Sequence, residues 1–299
     1  MPADPHARLK AELKALPRAE IKRFWADLGY ILLPSAPEWH DRPATELQWR
    51  RLIVATAEAL RADLAAAGLI GSAADDARKV DSLVREFYDL APESPVPAKK
   101  GGNGFNGSLQ VFAVARLLAP RVIVESGVFR GQTTWVLRQA CPQATILCFD
   151  VDFSNLAYKD REAIYSQADW SEFDLSALEG AQALAFFDDH IDQGRRVLEA
   201  QARGIRRLLF DDNAPAERIH TVGGPPVPSL DMLMDASLDG ETLAWRYRGR
   251  DHGCRIDASA AQAVRNAVAQ LRNFADMHRV TGYTPARITY VSLKPDAGA

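Results

Sequence analysis

Long apolar runs are what this chain most plainly lacks. No stretch approaches the length of a bilayer span, and the opening MPADPHARLKAELKALPRAE is charged, without the apolar segment of a secretory leader. Cysteine is scarce as well. Cys141, Cys148 and Cys254 are odd in number and irregularly spaced, which argues against a disulfide framework or a zinc site and fits reduced thiols in the cytosol. A basic excess is also missing: at a formal charge of -3, neither a nucleic-acid backbone nor an anionic membrane surface is suggested as a partner. Internal repeats and low-complexity tracts are absent from the sequence. So is the dinucleotide fingerprint G-x-G-x-x-G, because the candidate loop spaces Gly127 and Gly131 as G-x-x-x-G, which argues against a nicotinamide enzyme.

What is present is a globular composition. With 47% hydrophobic and 25% charged residues over 299 positions, the chain can bury a substantial core in one large or two modest domains. Residues 1–98 read as helical. RAEIKRFWADLGYILL, ATELQWRRLIVATAEALRADLAAAG and DDARKVDSLVREFYDL carry apolar residues at steps of three and four, and Gly68 closes the second. This region is expected to form a lid, an oligomer interface in a homo-oligomer, or both. Pro92, Pro95 and Pro97 then lead into AKKGGNGFNGS, a glycine-rich boundary or binding loop containing Lys99 and Lys100.

Residues 99–299 alternate between helix and strand. SLQVFAVARLLA, QTTWVLRQA and DQGRRVLEAQARG read as helices, and RVIVESG, TILCFDVD, EAIYSQAD, ALAFFDDH and IRRLLFDDN as strands. GGPPVPSLDML reads as a long loop, ASAAQAVRNAVAQLRNFADMH as a helix and ARITYVSLK as a closing strand. The expected class is α/β: a Rossmann-like, doubly wound, mostly parallel sheet with an N-terminal helical region. Such sheets bind ligands at the carboxyl ends of their strands, near the topological switch point.

Four strand tips carry the chemistry. In VIVESGVFRGQTT, Glu125, Gly127 and Gly131 lie between strand and helix, where glycines allow tight turns and helix-start amides offer donors. LCFDVD places Asp150, with Asp152 in reserve, about 20 residues beyond that turn, where a carboxylate accepts hydrogen bonds from ribose hydroxyls. FFDDH supplies Asp188, Asp189 and His190, and FDDN supplies Asp211, Asp212 and Asn213. Two carboxylates and a carboxamide at neighbouring tips make a hard-oxygen site suited to magnesium or calcium. Asp and Asn also stabilise turns and cap helices, so each residue has a plainer reading on its own. Their coincidence at two tips would concentrate repulsive charge unless a cation compensates it.

Glu125, Ser126, Gly127, Val128 and Gly131, followed by Asp150, resemble the acidic-glycine loop and ribose acid of class I S-adenosylmethionine-dependent methyltransferases. The resemblance covers roughly residues 105 to 225. It implies a cofactor site of Glu125, Ser126, Gly127, Gly131, Thr133 and Asp150, with Asp169 and Trp170 at the adenine, although Trp170 reads equally as a core aromatic. An Asp followed one helix later by Asp-Asn is similar to the metal triad of catechol-type O-methyltransferases. Carried over by position, the ligands are Asp188, Asp212 and Asn213, with Asp211 as alternate because macrocin-type enzymes, which methylate sugar hydroxyls, end this strand in Asp-Asp. The catechol group also has a lysine three residues after the first metal Asp; Ile191 stands there, which argues against a catechol substrate.

The resulting expectation is a magnesium-dependent O-methyltransferase acting on a hydroxyl of a small molecule, or on a sugar of a natural product or glycan. Asp188 and His190 would be its catalytic pair, with His190 as the base. Two other readings stand beside it. One is oxygen chemistry, since cephalosporin-type hydroxylases are similar in domain and in their Asp-His strand end; the other is a non-catalytic nucleoside-binding module.

Overall fold

The computed structural model describes residues 43–96, 103–175, 182–221, 227–247 and 249–295, with a few isolated positions before residue 43. Residues 37–299 form one compact unit and residues 1–36 another. RAEIKRFWADLGYILL and the lysines Lys99 and Lys100 lie almost wholly outside the described residues.

Two helices lead into the sheet domain. Helix α1, Glu46–Ala66, starts at Thr45, whose side chain accepts the Gln48 amide, and the chain leaves it through Gly68 at φ 65°. Helix α2, Ala74–Leu90, opens with Asp75 and Asp76, a favourable charge for a helix start. Their apolar faces (Ile53, Leu60 and Leu64 of α1; Val80, Val84 and Phe87 of α2) join the same buried cluster as α3, Gly104–Leu118, and Ile123 of the first strand. Their packing rests on burial of this stripe, which stabilises at about 25 cal/mol per Å² of apolar surface removed from water. Helix α3 begins four residues before the SLQVFAVARLLA segment. The glycines at 104 and 107 are thus helical, and Gly107 is where the helix folds tightly over the Asn103 side chain.

The sheet has seven strands in the order β3-β2-β1-β4-β5-β9-β8. Strands β1 (Val122–Ser126), β2 (Thr145–Phe149), β3 (Ile164–Ser166), β4 (Ala183–Phe187) and β5 (Arg207–Phe210) are all parallel. Helices α4, Gln132–Ala140, and α5, Gln193–Ala202, cross between them. Central β1, β2 and β4 each read intermediate-buried-buried-buried-buried, the unbroken burial of strands covered on both faces. The order reverses between β1 and β4, so the switch point lies above the tips of these two strands. This is the Rossmann-like, mostly parallel architecture that the alternation implied.

The last third departs from the sequence expectation. ASAAQAVRNAVAQLRNFADMH does not form one helix: after the short α6, Leu230–Met234, helix α7 occupies Ala258–Ala267 and the chain becomes strand β8, Val268–Asn273, antiparallel to β9, Thr289–Leu293. Helical periodicity continues through this stretch, but pairing with β9 offers Val268 to Asn273 a ladder, and that tertiary gain overrides local propensity. β9 in turn pairs antiparallel with β5. A separate hairpin, β6 (Thr242–Tyr247) and β7 (Arg250–Arg255), and the one-turn helix α8, His278–Thr281, complete the described elements. No helix among the described residues is long and apolar enough to cross a membrane.

Candidate active site

The chain turns sharply after β1, and two close approaches make glycine necessary there. Gly127 has φ 91°, and a Cβ on it would lie 2.3 Å from the Asp188 carbonyl oxygen; Gly131 has φ 82°, and its Cβ would meet the Tyr158 carbonyl at 2.2 Å. Between them, the backbone amides of Val128 and Phe129 both donate to Asp150 Oδ2 at 2.8 Å. Asp150 therefore ties the β2 tip to the loop after β1, and its Oδ1 accepts only the Asp152 amide, at 3.1 Å. The residue expected at the ribose is thus also a brace of the loop.

A cavity of about 540 Å³ opens above these tips, within the range of small-molecule sites. Ser126, Gly127 and Asp150 line one side, Gln167, Ala168 and Asp169 another, and Asp188, His190, Asp211 and Asp212 the far end. Ser126, Gly127, Asp150, Asp169, Asp188 and His190 are thereby brought to one space. Glu125, Gly131 and Thr133 are not on its surface. Thr133 is buried and accepts a hydrogen bond from Asn103 Nδ2 at 3.3 Å. Glu125 is fully buried behind the loop, where burial pushes its carboxyl up to about 8 against the opposing hydrogen bond from Thr134 Oγ1 at 2.6 Å. Its other oxygen, Oε1, has no partner.

Trp170 requires a correction. It is fully buried in the core, tilted against Phe187 at 5.5 Å between ring centroids, with the Arg203 guanidinium over its ring at 5.3 Å. The buried apolar cluster that also holds Phe149, Phe187 and Phe210 absorbs the indole, so it presents no face to the cavity for an adenine. Phe129, about half exposed at φ 46°, and Val151 supply the apolar rim in its place.

Asp169 stays on the cavity wall, but in a role the sequence did not disclose. Arg196, 2% exposed, makes a bidentate pair with Asp169 at 2.9 and 3.0 Å, reaches Asp189 Oδ2 through Nε at 2.8 Å and meets Glu199 at 2.7 Å. Burial alone would raise Asp169; the Arg196 hydrogen bonds instead hold it well below the usual carboxylate range. Asp189 Oδ2 also accepts from Ser126 Oγ at 2.6 Å, so one buried guanidinium links β1, β4, α5 and the segment after β3. Arginine at a helix position reads as surface in sequence, and nothing in GRRVLEAQ singles out the second of the two.

At the far end, Asp188, His190 and Asp212 each offer one ligand atom within 4.8 Å of the others. His190 Nε2 lies 3.1 Å from Asp212 Oδ2 and 3.8 Å from Asp188 Oδ1. His190 and Asp212 both adopt positive φ, 55° and 56°, a costly backbone for side-chain-bearing residues that turns both side chains toward each other. Burial raises Asp188 well above its ordinary value, and Asp211, Asp212 and Asp189 raise it further. Burial, then the neighbouring Asp212, pushes Asp211 up to about 7. The hydrogen bond to Asp212 raises His190. Carboxylates crowded in this way fit a hard divalent cation, which would relieve the repulsion that now favours their protonated forms.

Asn213 is the second correction. Its side chain turns away from the carboxylates: Nδ2 lies 2.9 to 3.1 Å from Asn273 Oδ1, Asp231 Oδ1 and Thr289 Oγ1, and Oδ1 accepts the Asp231 amide at 2.9 Å. The positive φ of Asp212 reverses the chain, so the side chains of Asp212 and Asn213 diverge. The carboxamide latches the β5 tip to β8, β9 and α6. The oxygen donors that remain at the cluster are those of Asp188, Asp211 and Asp212.

No protein-family model matches the chain, and no curated protein matches it. Among solved structures, the chain is similar to the SAH-bound Podospora anserina methyltransferase PaMTH1, at 13% identity and a TM-score of 0.39, over 93% of this chain and 98% of that one. A methyltransferase from Geobacter sulfurreducens aligns at 15% identity and a TM-score of 0.37, over 78% and 97% of the two chains. For cmcI-N160 with SAH the figures are 16% and 0.28, over 34% of this chain and only 57% of that one. The residue roles here rest on the geometry of the chain itself.

Proposed function

We propose that the protein is an S-adenosylmethionine-dependent O-methyltransferase, assisted by magnesium or a similar divalent cation, that acts on a hydroxyl of a small molecule or of a sugar in a natural product or glycan. One observation carries the reading: a single cavity joins a glycine loop braced by Asp150 to a cluster of three carboxylates and an imidazole.

The donor's nucleoside would lie between the loop and the wall at Gln167 to Asp169, with Asp150 Oδ1 the carboxylate oxygen open to a ribose hydroxyl. Asp188 and Asp212, with Asp211 beside them, would hold the cation. When bound, the sulfonium supplies a methyl group whose C–S bond breaks with the electron pair left on sulfur, and the cation lowers the pKa of the attacking hydroxyl. The chain's own part is to fix the oxygen in line and to take its proton. In the tautomer whose Nε2 donates to Asp212 Oδ2 at 3.1 Å, Nδ1 would be the ring's basic nitrogen and the proton acceptor. Arg196 acts one layer below, holding Asp169 and Asp189 in place.

Calorimetry with S-adenosylhomocysteine, with magnesium and with chelator, on wild type and Asp212→Ala, tests the reading. Nucleoside binding together with a magnesium signal that Asp212→Ala abolishes supports it. Absence of nucleoside binding in both conditions removes the donor and most of the mechanism. The imidazole beside two carboxylates favours a second reading, oxygen chemistry at a bound transition metal. Turnover that consumes oxygen and a reductant, and no S-adenosylmethionine, would select it.

A further inference from the structure

A second cavity, of about 630 Å³, also opens at the β5 tip. Asp211 and Asp212 line both cavities, so the two cavities meet at these carboxylates. The remaining lining comes from the start of α3 (Asn103, Gly104), from Asn213 and Arg218 after β5, from Asp276 after β8 and from residues 284–287 ahead of β9.

Its polar groups are unevenly matched. Asn103 is 5% exposed, and its Oδ1 is buried with no hydrogen-bond partner among the described residues. That is a costly arrangement which a hydroxyl donor from a ligand would relieve. Arg218 and Arg287 form no ion pair with any described residue, whereas nearby Arg265 and Arg272 are paired with Asp239 and Asp63. The third acid of the cavity, Asp276, is engaged in accepting the His278 amide at 2.9 Å. Two guanidiniums without carboxylate partners and one unsatisfied amide oxygen among the described residues, in a cavity that reaches Asp211 and Asp212, describe a ligand with anionic oxygens and hydroxyls.

We propose that this cavity is the acceptor site, and that it takes a hydroxylated anion whose carboxylate or phosphate sits on Arg218 and Arg287 and whose hydroxyl reaches Asp211 and Asp212, where this cavity meets the first. This rests on the methyltransferase reading and narrows its substrate class from any small molecule or sugar to one bearing an acid group. Methylation would form the new C–O bond at the hydroxyl as the donor's C–S bond breaks with its electron pair left on sulfur, the hydroxyl proton would pass to His190, and the acid group would stay unchanged as the anchor.

Phenylglyoxal labelling of arginines, followed by peptide mass spectrometry on the full chain loaded with S-adenosylhomocysteine and magnesium, tests the site without knowledge of the acceptor. The probes are inorganic phosphate for the phosphate source and glucuronate for the carboxylate source, with glucose as the neutral control. The expected result is that one or both anions slow labelling of Arg218 and Arg287 together by about fivefold or more, with one midpoint, while glucose does not and exposed Arg50 and Arg78 are unaffected. The anion that protects at the lower concentration identifies the source. Protection of neither residue, protection of only one, or equal protection of Arg50 and Arg78 overturns the proposal. The double variant Arg218→Gln/Arg287→Gln should bind S-adenosylhomocysteine within twofold of wild type and lose the calorimetric signal of the protecting anion. Retention of that signal also overturns it. Nucleoside binding without anion protection sinks this inference alone, whereas anion protection without nucleoside binding sinks the donor reading on which it rests.

Discussion

The backbone of Gly127 lies directly against that of Asp188, so close that a methyl group on the glycine would stand 2.3 Å from the aspartate carbonyl oxygen. The loop that would hold the donor and the tip that would hold the cation therefore share a van der Waals surface. Gly127→Ala has to move one of them, and its φ of 91° adds backbone strain. We expect a loss of about 2–4 kcal/mol in stability. We also expect weakened magnesium binding, although the residue is no ligand. Calorimetry and chemical denaturation measure both, and unchanged magnesium affinity would show the two tips to be mechanically independent.

The cluster itself separates ligand from base. Asp188→Asn and Asp212→Ala should each weaken magnesium binding by about tenfold or more, the scale of a lost charged oxygen ligand. His190→Ala should change that affinity by less than about threefold and lower kcat by about 10² to 10⁴. A tenfold loss of magnesium in His190→Ala would make the imidazole a ligand. Asn213→Ala should leave magnesium binding alone and lower the unfolding midpoint, because it cuts the hydrogen bonds that join β5 to β8 and β9.

Arg196 offers a test of charge beneath the cavity. Arg196→Met leaves Asp169 and Asp189 without their cation and should cost about 3–5 kcal/mol. Arg196→Lys should recover only part of this, since one ammonium cannot replace a bidentate fork to Asp169 while also reaching Asp189. Full rescue by lysine would mean that geometry at this position is unimportant.

Glu125 sets a pH dependence of folding. Its carboxyl is raised from an ordinary 4.5 to about 8, so between these values the folded state holds a proton that the unfolded state has released. Stability from this group is full below the lower value and falls by about 1.4 kcal/mol per pH unit until the upper one is passed. Glu125→Gln should therefore flatten the curve, and its gain over wild type should grow from pH 5 to pH 8. Parallel curves for the two proteins would place the titrating group elsewhere.

The central sheet was legible in sequence because each of its strands is a short apolar run closed by a polar tip, a pattern that local composition alone displays. The strand after α7 was not. Val268 to Asn273 carry no signal that distinguishes a helix continuation from a strand, and only pairing with β9, some twenty residues later, decides between them. The same limit applied to the site. Asp150, Asp188 and Asp212 come to one cavity because tips point where the sheet directs them, while the Asn213 side chain turns elsewhere because its direction depends on the backbone reversal at Asp212. Trp170 looked like a ligand platform and proved to be core, since sequence position does not report which side of a strand tip an aromatic ring takes. Arg196, the buried hub, left no trace at all.

The hydrogen bond between Asn213 and Thr289 spans 76 residues of sequence. During synthesis the acidic tip of β5 therefore emerges well before the strand that holds it in position. Until Thr289 and Asn273 arrive, Asn213 has neither partner, and Arg287 is not yet present to form the second cavity. The strands that carry Gly127, Asp150 and Asp188 are thus all made before the segment that fixes the β5 tip, so on the proposed function a nascent chain would have its donor loop before it had its acceptor site.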